Sequence, residues 1–232
     1  MNLLVIDTAT EACSVALEID GELFHRFEIC PQQHSQRLLP MIDEVLTQAN
    51  ISLDQLDYLG FGRGPGSFTG VRIATSMSQG LALGTGLPVV GVSTLAAMAQ
   101  QALEQGQGQY VFSAIDARMS EVYFARYEAQ NGVANLVDDE QVLPPEEACK
   151  LLAFDGVAQG VGTGWAAYPQ LMTELAAQDR LIISEDILYP DARFMLPLVK
   201  QGIERGQAQE VGEIQPVYLR DKVTWKKLPG KE

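Results

Sequence analysis

A short apolar strand ending in aspartate, then a second strand, a tight turn and a third strand, occurs twice in this chain of 232 residues. The first instance is Leu3-Leu4-Val5-Ile6 closing on Asp7, followed by Cys13 to Ile19, the Asp20-Gly21 turn and Glu22 to Ile29. The second is Tyr110 to Ile115 closing on Asp116, followed by Val122 to Tyr127, the Asn131-Gly132 turn and a strand near 133–137. Asp-Gly and Asn-Gly tolerate positive φ at both central positions, as a two-residue hairpin demands. The two instances share their order rather than their residues, and a duplicated lobe is the economical account. Helices and short strands alternate after each hairpin, so an α/β protein with mixed sheets is predicted. The polar, glycine-rich joint Gln105-Gly106-Gln107-Gly108-Gln109 divides a first lobe (1–104) from a second (105–232), part of whose end is expected to pack back on the first.

Leu38, Leu39, Ile42, Val45, Leu46 and Ala49 recur at helical spacing and predict an amphipathic helix. Pro40 suits that helix only in its first turn; deeper, it leaves a carbonyl without a donor. A strand over 58–62 then feeds the run Gly62-Arg63-Gly64-Pro65-Gly66-Ser67-Phe68-Thr69-Gly70-Val71-Arg72. Four glycines and a proline within 62–70 exclude a regular element there. A glycine turn between strand and helix presents bare amides to a phosphate or to a partner chain. It is not a Walker A loop, because no lysine follows, and Ser67 breaks the Gly-x-Gly-x-x-Gly spacing. The helix of about 69–83 carries Gly70, Ala74, Ser78 and Ala82 at i, i+4 spacing, a ridge that admits another backbone closely. Packing on the chain's own sheet and docking on another protein's helix are both open. Further on, a strand over Pro88–Val92 leads to a helix capped by Thr94 and running to Glu104. Helices near 145–153, 165–177 and 191–204 alternate with strands near 157–160 and 181–183.

The residues offer little catalytic chemistry. The two histidines, His25 and His34, form no pair on one helix face, so no metal site is predicted. His34, beside Ser35 ahead of the first helix, suits a capping role. No Gly-x-Ser-x-Gly elbow is present. Asp7-Thr8-Ala9-Thr10 could hold magnesium and phosphates, which keeps a small nucleotide hydrolase or kinase using Asp7 as an alternative function. Equally, Asp7 could accept hydrogen bonds from its own turn. Ala9 crowds the place where a phosphate would need glycine. The net charge of −14 is uneven, with +3 from Arg220 onward and −17 on the rest. That body repels a nucleic-acid backbone, and only the tail with Arg220, Lys222, Lys226, Lys227 and Lys231 is open to RNA or an acidic partner. Cys13, Cys30 and Cys149 have no paired spacing and suit reduced thiols. With no leader pattern and no long apolar run, a soluble, cytoplasmic protein without a membrane contact is expected.

Five segments together resemble one family: Leu4 to Leu17, His34 to Ile42, Gly64-Pro-Gly-Ser-Phe-Thr-Gly-Val-Arg72, Tyr189-Pro-Asp-Ala-Arg193 and Gln215-Pro-Val-Tyr-Leu-Arg220. The chain resembles the TsaB (YeaZ) family of bacterial tRNA threonylcarbamoyladenosine biosynthesis proteins over its whole length. The resemblance implies an actin-like, sugar-kinase-like ATPase fold of two ribonuclease-H-like lobes. It also implies a non-catalytic scaffold without a cofactor. Such a subunit pairs with the transferase TsaD, which modifies adenosine 37 of tRNA, and recruits the ATPase TsaE. Homodimers form through the same face when TsaD is missing, and tRNA is met only through the complex. Carried onto this chain, the partner face lies on the first two helices, Ser35–Ala49 and Phe68–Leu83, at Leu38, Leu39, Met41, Ile42, Val45, Phe68, Val71, Ala74, Thr75, Ser78 and Ala82. Asp7, Thr8 and Thr10 become a degenerate phosphate loop, and Gly64, Gly66, Ser67, Thr69, Gly70 and Arg72 its glycine loop.

Overall fold

The computed structural model describes residues 1–106, 109–152, 154, 156–172 and 180–220. The basic tail beyond Arg220, the middle of the 105–109 joint and the end of the helix expected over 165–177 lie outside the described residues.

Each predicted hairpin opens a sheet. β1 (Leu3–Asp7), β2 (Ala12–Ile19) and β3 (Glu22–Ile29) run antiparallel, and β4 (Tyr58–Gly64) and β5 (Val89–Ser93) continue in parallel on the other side of β1. The order is β3-β2-β1-β4-β5. The second sheet repeats this plan with β6 (Tyr110–Arg118), β7 (Glu121–Gln130), β8 (Val133–Leu136), β10 (Ala158–Val161) and β11 (Leu181–Ile183). Its order is β11-β10-β6-β7-β8, and β9 (Gln141–Leu143), which the sequence did not announce, adds a sixth strand on β7. Both turns take the conformation their residues favour, with φ of 50° and 85° at Asp20-Gly21 and 54° and 79° at Asn131-Gly132. Two mixed sheets flanked by helices, each a meander continued by parallel strands, make up the expected α/β fold with a doubled plan.

Helices fill the spaces between and outside the sheets. α1 (His34–Ala49) and α2 (Phe68–Thr85) bury one side each on the outer face of the first sheet, around Leu38, Ile42, Val45, Ala74 and Phe61. α3 (Thr94–Glu104) covers the second sheet, while the 3-10 turn Ala192–Met195 and α6 (Leu196–Glu204) cover the first. These elements share one core, from Leu3 and Val5 through Met98 and Val199 to Val111 and Tyr127. α4 (Pro145–Lys150) and α5 (Gly164–Ala167) close the far side over Phe112, Phe124 and Trp165. The end of the chain packs back on the first sheet: Gln209 bridges Val89, Ile214 joins the core under α2, and the Val217 amide donates to the Arg63 carbonyl at 2.7 Å.

Three local expectations need correcting. α3 is capped by Ser93 rather than Thr94: the Ser93 hydroxyl accepts from the amides of Leu95 and Ala96. α1 begins at His34, one residue early, so His34 is a buried helical residue and not a cap. Pro40 lies beyond the first turn, where its exposed ring meets solvent. Tertiary burial of Leu38, Met41 and Val45 outweighs one missing amide worth about 1 kcal/mol.

A polar chain also ties the sheets together. Tyr127 is 1% exposed; its hydroxyl donates to Glu140 at 2.8 Å and lies 3.4 Å from the Ser93 hydroxyl. Glu140 in turn meets Arg63 of β4 at 3.3 Å. Burial and the Glu140 carboxylate push the Tyr127 phenol well above its ordinary value, so it stays a donor.

Candidate functional site

The hairpin turn that could have cradled a phosphate is closed by the glycine loop. Asp7, Thr8 and Ala9 are fully buried and Thr10 nearly so. The Ser67 amide donates to the Ala9 carbonyl at 2.7 Å, and the Thr8 hydroxyl donates to the Gly70 carbonyl at 2.7 Å. A methyl group on Gly66 would stand 2.2 Å from the Ala9 oxygen, and one on Gly70 would stand 2.1 Å from the Thr8 oxygen. Gly62 is pressed against Asp7 in the same way, with 1.7 Å from a built Cβ to Oδ2. The loop glycines therefore serve close approach to the turn, not presentation of amides to a ligand, which corrects that sequence expectation. Gly64 takes φ +99° where the chain passes the Val217 carbonyl. Ser67 caps α2 by accepting from the Gly70 amide, and Thr69 is exposed in the first turn.

Asp7 itself is out of reach of any nucleotide. Its Oδ1 accepts from the Ala9 amide at 3.1 Å, and its Oδ2 is buried without a partner among the described residues. Burial, aided by the nearby Asp191 carboxylate, raises its pKa to about 7. An unfolded aspartate titrates near 4, so the folded chain holds this proton longer. The associated stability is complete below about pH 4 and is lost as pH climbs through about 7. Asp7→Asn is expected to raise the thermal midpoint at pH 8 and leave it nearly unchanged at pH 4. Equal shifts at both pH values in paired melts would contradict this account.

Beside the closed turn lies a cleft of about 600 Å³ between the two hairpins. Its walls include Glu11, Gln32, His34, Ser67, Asp116, Arg118 and Arg220. Arg118 spans it, meeting Glu11 at 3.2 Å and Asp116 at 2.9 Å. Arg220 is held by Glu121 and donates to the carbonyls of Ala117 and Arg118. At the rim, the Arg72 guanidinium stacks 3.7 Å from the Phe68 ring centre, and its Nε donates to the Tyr218 hydroxyl at 2.7 Å. Phe68 is 57% and Tyr218 40% exposed. Among the described residues, no group of three or more potential ligands could hold a metal. No helix among them is long and apolar enough to cross a membrane.

Residues 28–227 match the family model described as TsaD, tRNA N6-adenosine threonylcarbamoyltransferase. The TsaB protein of Escherichia coli K12 is 48% identical, with all of both chains covered. That of Haemophilus influenzae is 45% identical over all of this chain and 99% of its own. Both are described as tRNA threonylcarbamoyladenosine biosynthesis proteins. The chain belongs to the TsaB family. A solved structure described as YeaZ from Pseudomonas aeruginosa superposes with a TM-score of 0.85 at 43% identity, covering 94% of this chain and 99% of that one.

Within this TsaB-family chain, the residues expected to form a partner face divide sharply. Leu38, Met41, Ile42, Val45, Val71, Ala74, Thr75, Ser78 and Ala82 are buried in the chain's own core. The ridge Gly70–Ala74–Ser78–Ala82 thus faces β4, the first of the two readings open in the sequence. A charge at Ala74 would disrupt folding before it tested any partner. Leu39 and Phe68, at 54% and 57% exposure, remain free for a partner. The outer side of α2 carries a second small row that sequence reasoning missed, Ser76, Gly80 and Gly84, all exposed. A methyl group on Gly80 or Gly84 would meet nothing within 4 Å. Leu83 stands beside them at 77% exposure.

Proposed function

We propose that the chain is a non-catalytic scaffold and activating subunit in synthesis of threonylcarbamoyladenosine at position 37 of tRNA. It docks on a TsaD-type transferase, and the pair recruits a TsaE-type ATPase. The outer side of α2 carries this reading. Two glycines inside a helix cost about 1 kcal/mol each against alanine, and nothing among the described residues repays it. A close-packed partner helix does, with Leu39, Phe68 and Leu83 as apolar anchors. In the same reading the first lobe (1–104) supplies the docking helices and the second (105–232) supports them, and copies pair through this face when the transferase is missing.

The closed Asp7–Thr10 turn argues against the alternative of a nucleotide hydrolase using Asp7. The experiment is a threonylcarbamoyl-transfer assay with purified transferase, ATPase, tRNA and carbamoyl donor. Product is expected to form only when this chain is added, and none from this chain alone. Full transfer in its absence, or turnover by the isolated chain, would overturn the proposal.

A further inference from the structure

β3 is the longest sheet edge left open among the described residues. The other edge of the first sheet, β5, is bridged by Gln209. In the second sheet, Asn135 of β8 is met by Gln201 and Arg205, and β11 has only three residues. β3 runs for eight residues and pairs with β2 alone. The Cys30 amide donates to the Glu11 carbonyl at 3.0 Å, so in this unshifted antiparallel register Glu22, Phe24, Arg26 and Glu28 bond β2. The backbone groups of Leu23, His25, Phe27 and Ile29 therefore point away from the sheet. Their side chains share the face opposite the one where Arg26 and Glu28 meet Glu44 and Arg37 of α1. Leu23, Phe27 and Ile29 are 45%, 41% and 50% exposed. A free backbone edge beside an exposed apolar row is a template for one more strand.

Residues 221–232 carry the matching pattern. Val223-Thr224-Trp225 are consecutive strand formers, and Lys222, Thr224 and Lys226 alternate with Val223 and Trp225 ahead of Pro229. Charge agrees as well: residues 1–49 hold eight acidic and two basic side chains, whereas 221–232 hold four lysines and two acids. Arg220 lines the cleft together with Pro31 and Gln32, which follow β3 by way of Cys30. Four extended residues span about 13 Å, enough to cross a cleft of about 600 Å³ from Arg220.

We propose that residues 222–228 add an antiparallel strand to the free edge of β3 in the same molecule. The segment leaves the cleft at the Ile29 end and runs back towards Glu22. Val223 and Trp225 cover Phe27 and Ile29, while Lys226 lies on the side of Glu28. A second copy is the weaker occupant, because joining two β3 edges brings together two bodies of net charge −14. The chain's own segment also has a short tether, which raises its local concentration above that of any free strand.

The test is amide hydrogen exchange of the full chain, read residue by residue by NMR. Leu23, His25, Phe27 and Ile29 are expected to exchange at least about tenfold more slowly than the same amides in Val223→Pro, which removes a donor facing β3. Trp225→Ala is expected to speed the same four amides severalfold. Phe24, Arg26 and Glu28, bonded to β2, are expected to stay protected in both variants, so faster exchange at the edge is not unfolding. Equal edge rates in the parent and in Val223→Pro, whether fast or slow, would sink the proposal. Protection that grows with protein concentration would do so too, since it assigns the edge to a second copy.

Discussion

Gly66→Ala and Gly70→Ala are expected to destabilise the chain by about 3 kcal/mol each, although each adds only one methyl group. Both methyls would run into backbone oxygens, of Ala9 and Thr8, which cannot rotate aside as a flexible side chain would. To make room, the glycine loop must lift from the β1–β2 turn. Lifting breaks the Ser67-to-Ala9 and Thr8-to-Gly70 hydrogen bonds and leaves buried groups unpaired. Urea unfolding monitored by circular dichroism measures the loss. Midpoints within error of the parent chain would mean that the loop does not seal the turn. Gly80→Ala is the matched control, since its methyl meets open space.

That control leads to the second large effect, in which stability and association move in opposite directions. Gly80→Ala with Gly84→Ala is expected to stabilise the isolated chain by about 2 kcal/mol, the summed helix preference of two exposed alanines. Gly80→Leu and Leu83→Glu are expected to weaken association with the transferase about 100-fold, close to 2.8 kcal/mol. Neither position contributes to the core, so thermal melts report folding while calorimetric titration reports association. Self-association, followed by sedimentation velocity, is expected to fall in the same variants. Undiminished binding by Leu83→Glu would remove α2's outer side from the interface.

How much was legible in the sequence follows from what kind of interaction each feature depends on. Asp20-Gly21 and Asn131-Gly132 were readable because the turn is decided by its own two residues, and the apolar runs ending at Asp7 and Asp116 follow from burial on both faces. α2's small residues were readable as rows but not as sides. Gly70–Ala74–Ser78–Ala82 and Ser76–Gly80–Gly84 have the same spacing, and only the position of β4 decides which row is inside. The signal that could have separated them is chemical: glycines recurring on a helix's solvent side are costly, whereas alanine and serine are ordinary core residues. His34 was read as a cap because it sits where helices start, and the extra residue in α1 depends on packing against the first sheet. The cleft was not legible at all. Glu11, Arg118 and Tyr218 are more than ninety residues apart along the chain and meet only through the doubled topology.

The bonded path from Ser93 through Tyr127 and Glu140 to Arg63 crosses from one sheet to the other inside a shared apolar interior. A body fastened in this way resists bending about a waist. The fastening opposes changes in the distance between α2's outer surface and the cleft wall, so on the proposed scaffold role the chain would work as a gauge block does, by holding a dimension constant.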